Sequence, residues 1–336
     1  MSRSLSSSRP DPFAYTVTSR QHPRPEDRPA HRAGLDLQAS RAYAGGVRAL
    51  VIINPIAGRR RRGSGRLSRA DLAKHVLGAR ADVELTERPG HAEELARQAA
   101  AGGYDVVFAW GGDGTINEVA RAVASTGTAL AIVPAGSGNG LARALGIPLD
   151  PAAALLHGAE RPERRIDAGS LGGRFFVNVA GIGLDAEVAS RFARRGIRRG
   201  PLPYISIAIQ VGLRYRPLEY TLDLGGDPVR ARALIVALAN SPQYGNGAIV
   251  APNASPDDGL LDVVVVRDRP LVARLAGARH LFTGTLHRAR GVLMRKVTRV
   301  VIEADVPIRF HVDGDPIEGG NRLVGVVHPG VLKIRA

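Results

Sequence analysis

Asp105-Val106-Val107-Phe108-Ala109-Trp110-Gly111-Gly112-Asp113-Gly114-Thr115-Ile116-Asn117-Glu118-Val119-Ala120-Arg121-Ala122-Val123 decides the fold. The apolar run up to Trp110 reads as a buried strand, and the segment from Ile116 reads as a helix. Strand, glycine turn and helix together aim free backbone N–H groups at an anion. Thr115 and Glu118 have capping-box spacing, which predicts the helix start there. Asp113 is the unusual member, because a carboxylate repels a phosphate unless a divalent cation lies between them, directly or through water. The loop therefore predicts a Mg²⁺-nucleotide site without a Walker lysine. Asp-Gly pairs also form plain turns, so the neighbouring stretches must decide.

Upstream, Val47 to Ile53 is a predicted strand running into Asn54-Pro55-Ile56-Ala57-Gly58, with the arginines of 59–62 and a helix at 67–77 beyond it. A short strand at 82–86 and a helix at 91–101 follow. Downstream, Ala129 to Val133 is a strand ending in Pro134-Ala135-Gly136-Ser137-Gly138-Asn139-Gly140, with helices at 141–145 and 152–157. Four strand–helix alternations predict a parallel sheet covered on both faces, with ligands at the strands' C-terminal ends. Three of those ends carry glycine-rich loops, which favours the nucleotide reading.

After about Arg164 the pattern becomes antiparallel β with inserted helices. Hairpins are predicted at 165–180, around Gly172-Gly173, and at 218–239, around Gly225-Gly226-Asp227. Further strands are predicted at 260–266, 297–304, 308–312, 323–327 and 331–334. Residues 1–46 are rich in Ser, Arg and Pro and read as a disordered tail.

The 336 residues are enough for two domains, and the 44% hydrophobic content is that of a folded protein. With no cysteine, disulfides, thiol catalysis and cysteine-ligated zinc are excluded, and a reducing compartment fits. No apolar run is long enough to span a bilayer, and the N-terminus lacks a secretory signal's apolar core. The nine histidines show no metal spacing. A net charge of +15 favours anionic partners, and 4% aromatic content leaves few stacking platforms for nucleic acid. Nucleic-acid binding rests on charge alone and is not expected. Between Ile182 and Pro217, basic residues (Arg191, Arg194, Arg195, Arg198, Arg199) precede apolar ones (Leu202, Ile205, Ile207, Ile209, Val211, Leu213). Such a segment could dock on an anionic bilayer, or could be a core helix beside a solvated loop.

Asn54 to Gly58, Gly111 to Thr115, Gly136 to Asn139, Asp257-Asp258-Gly259-Leu260-Leu261-Asp262 and Val312-Asp313-Gly314-Asp315 occur in this order. From Val47 to Ala336, their order and spacing resemble the diacylglycerol kinase catalytic-domain family, which includes bacterial lipid kinases and the sphingosine and ceramide kinases. Gly-Gly-Asp-Gly alone is shared with NAD kinases and phosphofructokinases, and the later two motifs are more specific. The resemblance implies an α/β nucleotide-binding domain (47–164 plus 318–336, the last strands returning) and a β-rich antiparallel sandwich (165–317), with the active site in the cleft between. It implies ATP contacts at Asn54, Pro55, Gly58, Thr86, Gly112, Asp113, Gly114, Thr115, Ile116, Asn117, Glu118 and Ser137, with Mg²⁺ at or near Asp113. The general base would be Asp315, where a glutamate is usual, with Asp313 sharing the metal or base role. A structural Mg²⁺ would take Asp258 and the carbonyls of Ser255 and Leu260, the alternative being a β-turn stabilised by Asp257 and Asn253. Many bacterial members carry an aspartate at the position of Gly140, where it joins the metal–water network. Gly140 tilts the acceptor toward a sphingoid base or implies weak activity.

The function expected is an ATP- and Mg²⁺-dependent lipid kinase, cytoplasmic and peripheral to the inner membrane, acting on diacylglycerol or a sphingoid base at an anionic surface. A homodimer is left open. The rivals are an NAD kinase and a non-catalytic lipid-binding regulator.

Overall fold

The computed structural model describes residues 46–58, 67–78, 81–193, 207 and 210–336. The predicted tail, the arginines of 59–62 and most of the basic–apolar stretch in 182–217 lie outside the described residues.

The first half alternates as β1 (Ala49–Ile53), α1 (Arg69–Leu77), β2 (Asp82–Leu85), α2 (His91–Ala101), β3 (Val106–Gly111), α3 (Asp113–Val123), β4 (Ala129–Pro134), α4 (Gly140–Ala144) and α5 (Pro151–Glu160). Its strands are parallel in the order β2-β1-β3-β4. Every residue of β1, β3 and β4 is buried, which is why they read as unbroken apolar runs rather than alternating ones. β2 is the exposed edge strand. α1 is started by a Ser68–Asp71 capping box, and α5 by the Asp150 side chain with Pro151 at its first position.

α3 starts earlier than its sequence suggested. Gly112 is the N-cap and no side chain caps the helix. The Thr115 hydroxyl instead meets Asn54 Nδ2 at 3.0 Å, and Glu118 Oε1 accepts the Gly90 N–H at 3.0 Å. Both side chains join elements rather than closing their own turn.

The second half comprises β5 (Glu163–Leu171), β6 (Arg174–Phe176), β7 (Val179–Gly183), α6 (Leu184–Ala193), β8 (Leu218–Asp223), β9 (Val229–Ala239), β10 (Gln243–Gly245), β11 (Ala248–Ile249), β12 (Leu261–Arg267), α7 (Leu271–Thr283), β13 (Val292–Val297), β14 (Arg299–Glu303), β15 (Arg309–Val312), β16 (Asp315–Glu318) and β17 (Arg322–Arg335). Pairing within it is antiparallel. Four expected strands are corrected. The 174–180 arm divides: β6 pairs with β5, whereas β7 pairs with β9 and β15. The division falls where the N–H groups of Val177 and Asn178 donate to a carboxylate, Asp313, rather than to a strand. The 297–304 strand divides at Thr298 between β13 and β14, which have different partners. The last two strands are one, β17, with an irregularity between His328 and Leu332.

β17 runs through both halves. It is antiparallel to β5 and β14 and reaches β4 in parallel at Ile334–Leu130. Ile166, Ala168, Leu332 and Ile334 accordingly pack into the core around the parallel sheet, with Phe108, Trp110 and Ile132. A second core, around Phe176, Tyr220, Leu238 and Phe310, fills the β-rich half.

Asp167 on β5 fastens this junction. Its carboxylate, buried, accepts the N–H of Gly259 at 2.6 Å and that of Gly330 at 2.7 Å, the latter on the irregular stretch of β17. Its own N–H donates to Pro256 O, and its carbonyl accepts Asn240 Nδ2. Losing the carboxylate leaves two part-buried N–H groups without their acceptor, and hydrogen bonds to charged groups contribute about 1.5–3 kcal/mol each. Asp167→Ala is therefore expected to lower unfolding free energy by about 3 kcal/mol or more, measured by urea denaturation, with Asp167→Asn falling between it and wild type.

Candidate active site

Three glycine loops meet above the parallel sheet. In the first, Asn54 Oδ1 accepts the N–H of Ile56, while Arg69 donates to Asn54 O at 2.7 Å and to Ala57 O at 2.6 Å and lies over the Trp110 ring. Burial pulls the Arg69 guanidinium below its usual range. A Cβ on Gly58 would lie 2.7 Å from Ala135 O, so the first and third loops touch only because this residue is glycine. Gly136, in the third loop, faces Gly112, in the second, with equally little room. Asn139, in left-handed conformation at φ 52°, wraps the third loop by bonding both N–H and C=O of Gly136.

Asp113 ties the second loop to the third. Its Oδ2 accepts the N–H of Asn139 at 3.0 Å, and its Oδ1 that of Gly140 at 2.9 Å. Burial raises the carboxyl above its ordinary value, opposed by these backbone donors. Asp113 is thus first a clamp on the loop entering α4. Each oxygen keeps a second lone-pair direction, so contact with a phosphate-bound cation or its water is compatible with the clamp.

Gly140, where many family members carry an aspartate, lies under a tight cover. A Cβ here would lie 2.6 Å from Tyr244 O and nearer still to Asn178 Nδ2. Asn178 is itself held by Gln243 O and Ser241. The β10 strap covers this position, and no side chain fits beneath it.

Val312-Asp313-Gly314-Asp315 joins β15 to β16, with Val312 and Asp315 as the paired residues. Both central residues have positive φ, 48° for Asp313 and 94° for Gly314, as a type I′ hairpin requires. The Asp313 carboxylate accepts four donors: Asn117 Nδ2 at 2.7 Å and Val177 N at 2.9 Å on Oδ2, and Asn178 N at 2.9 Å and Val179 N at 3.0 Å on Oδ1. Burial pushes its carboxyl up to about 6 against the pull of these donors. With its acceptor positions filled, Asp313 positions the turn rather than serving as base or metal ligand, a correction to the shared role expected of it. His311 supports the turn from below. Its Nδ1 accepts the Gly314 N–H at 3.2 Å, which leaves Nε2 facing Asp185 Oδ2 at 2.8 Å.

Asp315 is exposed at the head of β16. Its Oδ2 lies 3.9 Å from where a Cβ on Gly114 would sit, so its carboxylate stands over the first turn of α3. The first-turn N–H groups of that helix have no acceptors in the preceding turn. Gly112, Gly114 and Asp315 therefore share one surface with the exposed Pro55, Gly58 and Ser137. Thr86 sits at the end of β2, its N–H bonded to Ile53 O.

At the remaining expected contacts the side chains meet protein groups. Ile116 is a core residue whose N–H donates to Gly112 O. Asn117 reaches Asp313 and Phe175 O, and Glu118 holds the start of α2. Thr115 is buried against Asn54. These four brace the site from behind. Arg69, Asp185, Asn178, Tyr244 and His311 were missed in the sequence, where no motif marks them.

The expected structural cation site does not fit a metal ion. Lys296 Nζ lies 2.5 Å from Asp258 Oδ2 and 3.0 Å from Asp262 Oδ2, and Lys296 is the cross-strand partner of Asp262. Burial opposes the ammonium charge, but the two carboxylates outweigh it and raise Lys296 above its usual range. Asp258 Oδ1 accepts the Leu260 N–H, and Ser255 Oγ bonds to Asp257, so this is an aspartate turn closed by an internal ammonium. Among the described residues no cluster of three or more His, Asp or Glu has a metal-holding arrangement.

Two outcomes are expected. Chelation with EDTA leaves the melting temperature of the wild type unchanged, whereas Lys296→Met lowers it by several degrees and makes it respond to added Mg²⁺, as calorimetry would show. The Asp313 carboxyl titrates near 6 in the fold and near 4 in an unfolded chain, so between these values the fold holds a proton that the unfolded chain has released. Its contribution to stability therefore falls as pH rises through that window. Denaturation across the window should show a steeper decline for wild type than for Asp313→Asn.

Residues 48–171 match the diacylglycerol kinase catalytic domain family, and residues 178–336 match the YegS C-terminal NAD kinase beta sandwich-like domain. A Pseudomonas aeruginosa protein named "Probable lipid kinase YegS-like" is 32% identical over 267 residues, covering 78% of this chain and 86% of that protein. The "Diacylglycerol kinase" of Bacillus subtilis is 28% identical over 283 residues, 80% and 89% of the two chains. The crystal structure of a diacylglycerol kinase from Bacillus anthracis superposes with a TM-score of 0.63 at 20% identity, covering 86% of this chain and 96% of that one, a likeness of fold. With its paired domain matches and near full-length relatives, the chain belongs to the YegS-like lipid kinases of the diacylglycerol kinase family.

Proposed function

We propose that this kinase transfers the γ-phosphoryl group of ATP to the hydroxyl of a lipid alcohol, diacylglycerol or a sphingoid base. The carrying observation is the Asp315 carboxylate standing over the first turn of α3 across Gly114. That geometry sets an acceptor for a hydroxyl proton beside a set of backbone donors for phosphate. In this reading residues 47–164 and 318–336 hold the nucleotide, and 165–317 the acceptor.

The first-turn amides of α3 and the loops at Asn54–Gly58 and Gly136–Asn139 hold the phosphates. Gly58, Gly112 and Gly114 let the chain approach them without a Cβ in the way. The acceptor hydroxyl oxygen bonds to the γ-phosphorus as the bond to the ADP oxygen breaks, and the hydroxyl proton passes to Asp315. Asp313, Asn117 and His311 hold Asp315 in place. Phosphoryl transfer depends mainly on positioning and charge neutralisation. Mg²⁺, carried on the phosphates near Asp113, would supply that neutralisation; one or two carboxylates plus phosphate oxygens are its usual set. Among the described residues no helix is long and apolar enough to cross a membrane. The reaction belongs at the cytoplasmic face of the inner membrane, where ATP and the lipid meet.

The test is transfer of label from γ-labelled ATP to diacylglycerol, monoacylglycerol, sphingosine or ceramide in mixed micelles, with NAD in parallel. Lipid labelling is expected. Asp315→Asn should reduce kcat by about 10²–10⁴-fold with ATP affinity retained, and Asp315→Glu should keep most of the rate. Label in NAD alone would overturn the reading, and an unimpaired Asp315→Asn variant would move the base elsewhere.

A further inference from the structure

Helix α7 turns an apolar face outward. None of its residues is buried, and Leu271, Val272, Leu275 and Phe282 are 44%, 79%, 54% and 53% exposed. At 3.6 residues per turn these four fall within about a third of the helix circumference, with Arg279 among them. The inner face meets the protein through Leu281, packed against the core around Val264 and Leu286, and through polar groups: Arg274 pairs with Asp268 at 2.5 Å and donates to Arg269 O, and His280 Nδ1 meets Thr285 Oγ1 at 2.6 Å. A helix packed on a soluble core shows the opposite arrangement.

The surroundings are strongly cationic. From Arg269 to Ile302 there is no Asp or Glu, but there are seven arginines and one lysine. A groove of about 790 Å³ opens at the helix N-terminus, lined by Arg214, Arg216, Arg269 and Arg274 around a single carboxylate, Asp268, with the exposed Leu213 at its edge. Apolar side chains outward, ringed by arginine, match a leaflet of anionic lipid. They do not match a second copy of the chain, whose identical face would bring like charges together. The helix also adjoins the site: it packs on β11, and the hairpin partner β10 lies against the third glycine loop through Gly245 and Gly138.

We propose that α7 is the docking element for an anionic bilayer, with Leu271, Val272, Leu275 and Phe282 entering the acyl boundary and the nearby arginines meeting headgroup phosphates. The proposal deepens the kinase reading by naming where its acceptor is met, but binding is measurable without nucleotide.

The experiment is co-sedimentation of the full chain with phosphatidylglycerol–phosphatidylcholine vesicles and with phosphatidylcholine alone. Wild type should pellet with the anionic vesicles only. Val272→Ser/Leu275→Ser/Phe282→Ser should lose affinity at least about tenfold, given the apolar area withdrawn, with an unchanged melting temperature. Val272→Asp alone serves as a second, minimal variant at the most exposed position. Transfer assays run alongside on vesicles and on a short-chain lipid alcohol in detergent. Loss on vesicles with retention in detergent supports docking, as does lost binding by a protein that phosphorylates neither. Undiminished vesicle binding by both variants overturns docking whatever the activity. So does a wild-type dimer, seen by light scattering, that the triple variant dissociates while neither protein binds vesicles.

Discussion

Four N–H groups converge on the carboxylate of Asp313, and the rest of the site depends on that convergence. One comes from α3, two from the chain between β6 and β7, one from the first residue of β7, and the carboxylate itself sits in the β15–β16 turn. A buried carboxylate is costly unless its acceptors are filled. Here the chain fills them by breaking one strand into two and bringing a turn from the β-rich half onto the parallel sheet. Asp113 works in the same way, clamping the loop that enters α4. Between the two anchored carboxylates, Asp315 remains at the surface, beside the start of α3.

Much of this was legible in the sequence. Buried parallel strands read as apolar runs, and the glycine loops follow them. Asp-Gly at 313–314 marks a hairpin turn by itself, and the turn is both a local device and the carrier of the next carboxylate. What could not be read was the partner of each polar side chain. Thr115 and Glu118 have the spacing of a cap, but Asn54 and Gly90 claim them. Asp258 has the look of a cation ligand until β13 pairs with β12 and delivers Lys296. Such partners lie tens of residues away, and only strand register reveals them. The role of Asp315 came from family resemblance rather than from any local pattern.

Gly140 shows how a departure from a family pattern acquires a physical cause. Tyr244 and Asn178 close over its backbone, and its N–H is needed by Asp113. Replacing the residue alone would displace the β10 strap, so the change at this position belongs with the packing around it. The tight contact also links the third glycine loop to the hairpin on which α7 rests.

β17 has a consequence for how the protein is made. β4 forms its buried pairing with β17 only after some two hundred further residues have been synthesised. Until then the apolar parallel sheet has one edge without its neighbour, and Asp167 lacks the amide of Gly330. Pairings of such long sequence separation close slowly, and an unpaired strand edge is open to intermolecular pairing meanwhile. During synthesis the first half is thus a partner in waiting rather than a finished domain, and its exposure to chaperones and proteases lasts until its last strand leaves the ribosome.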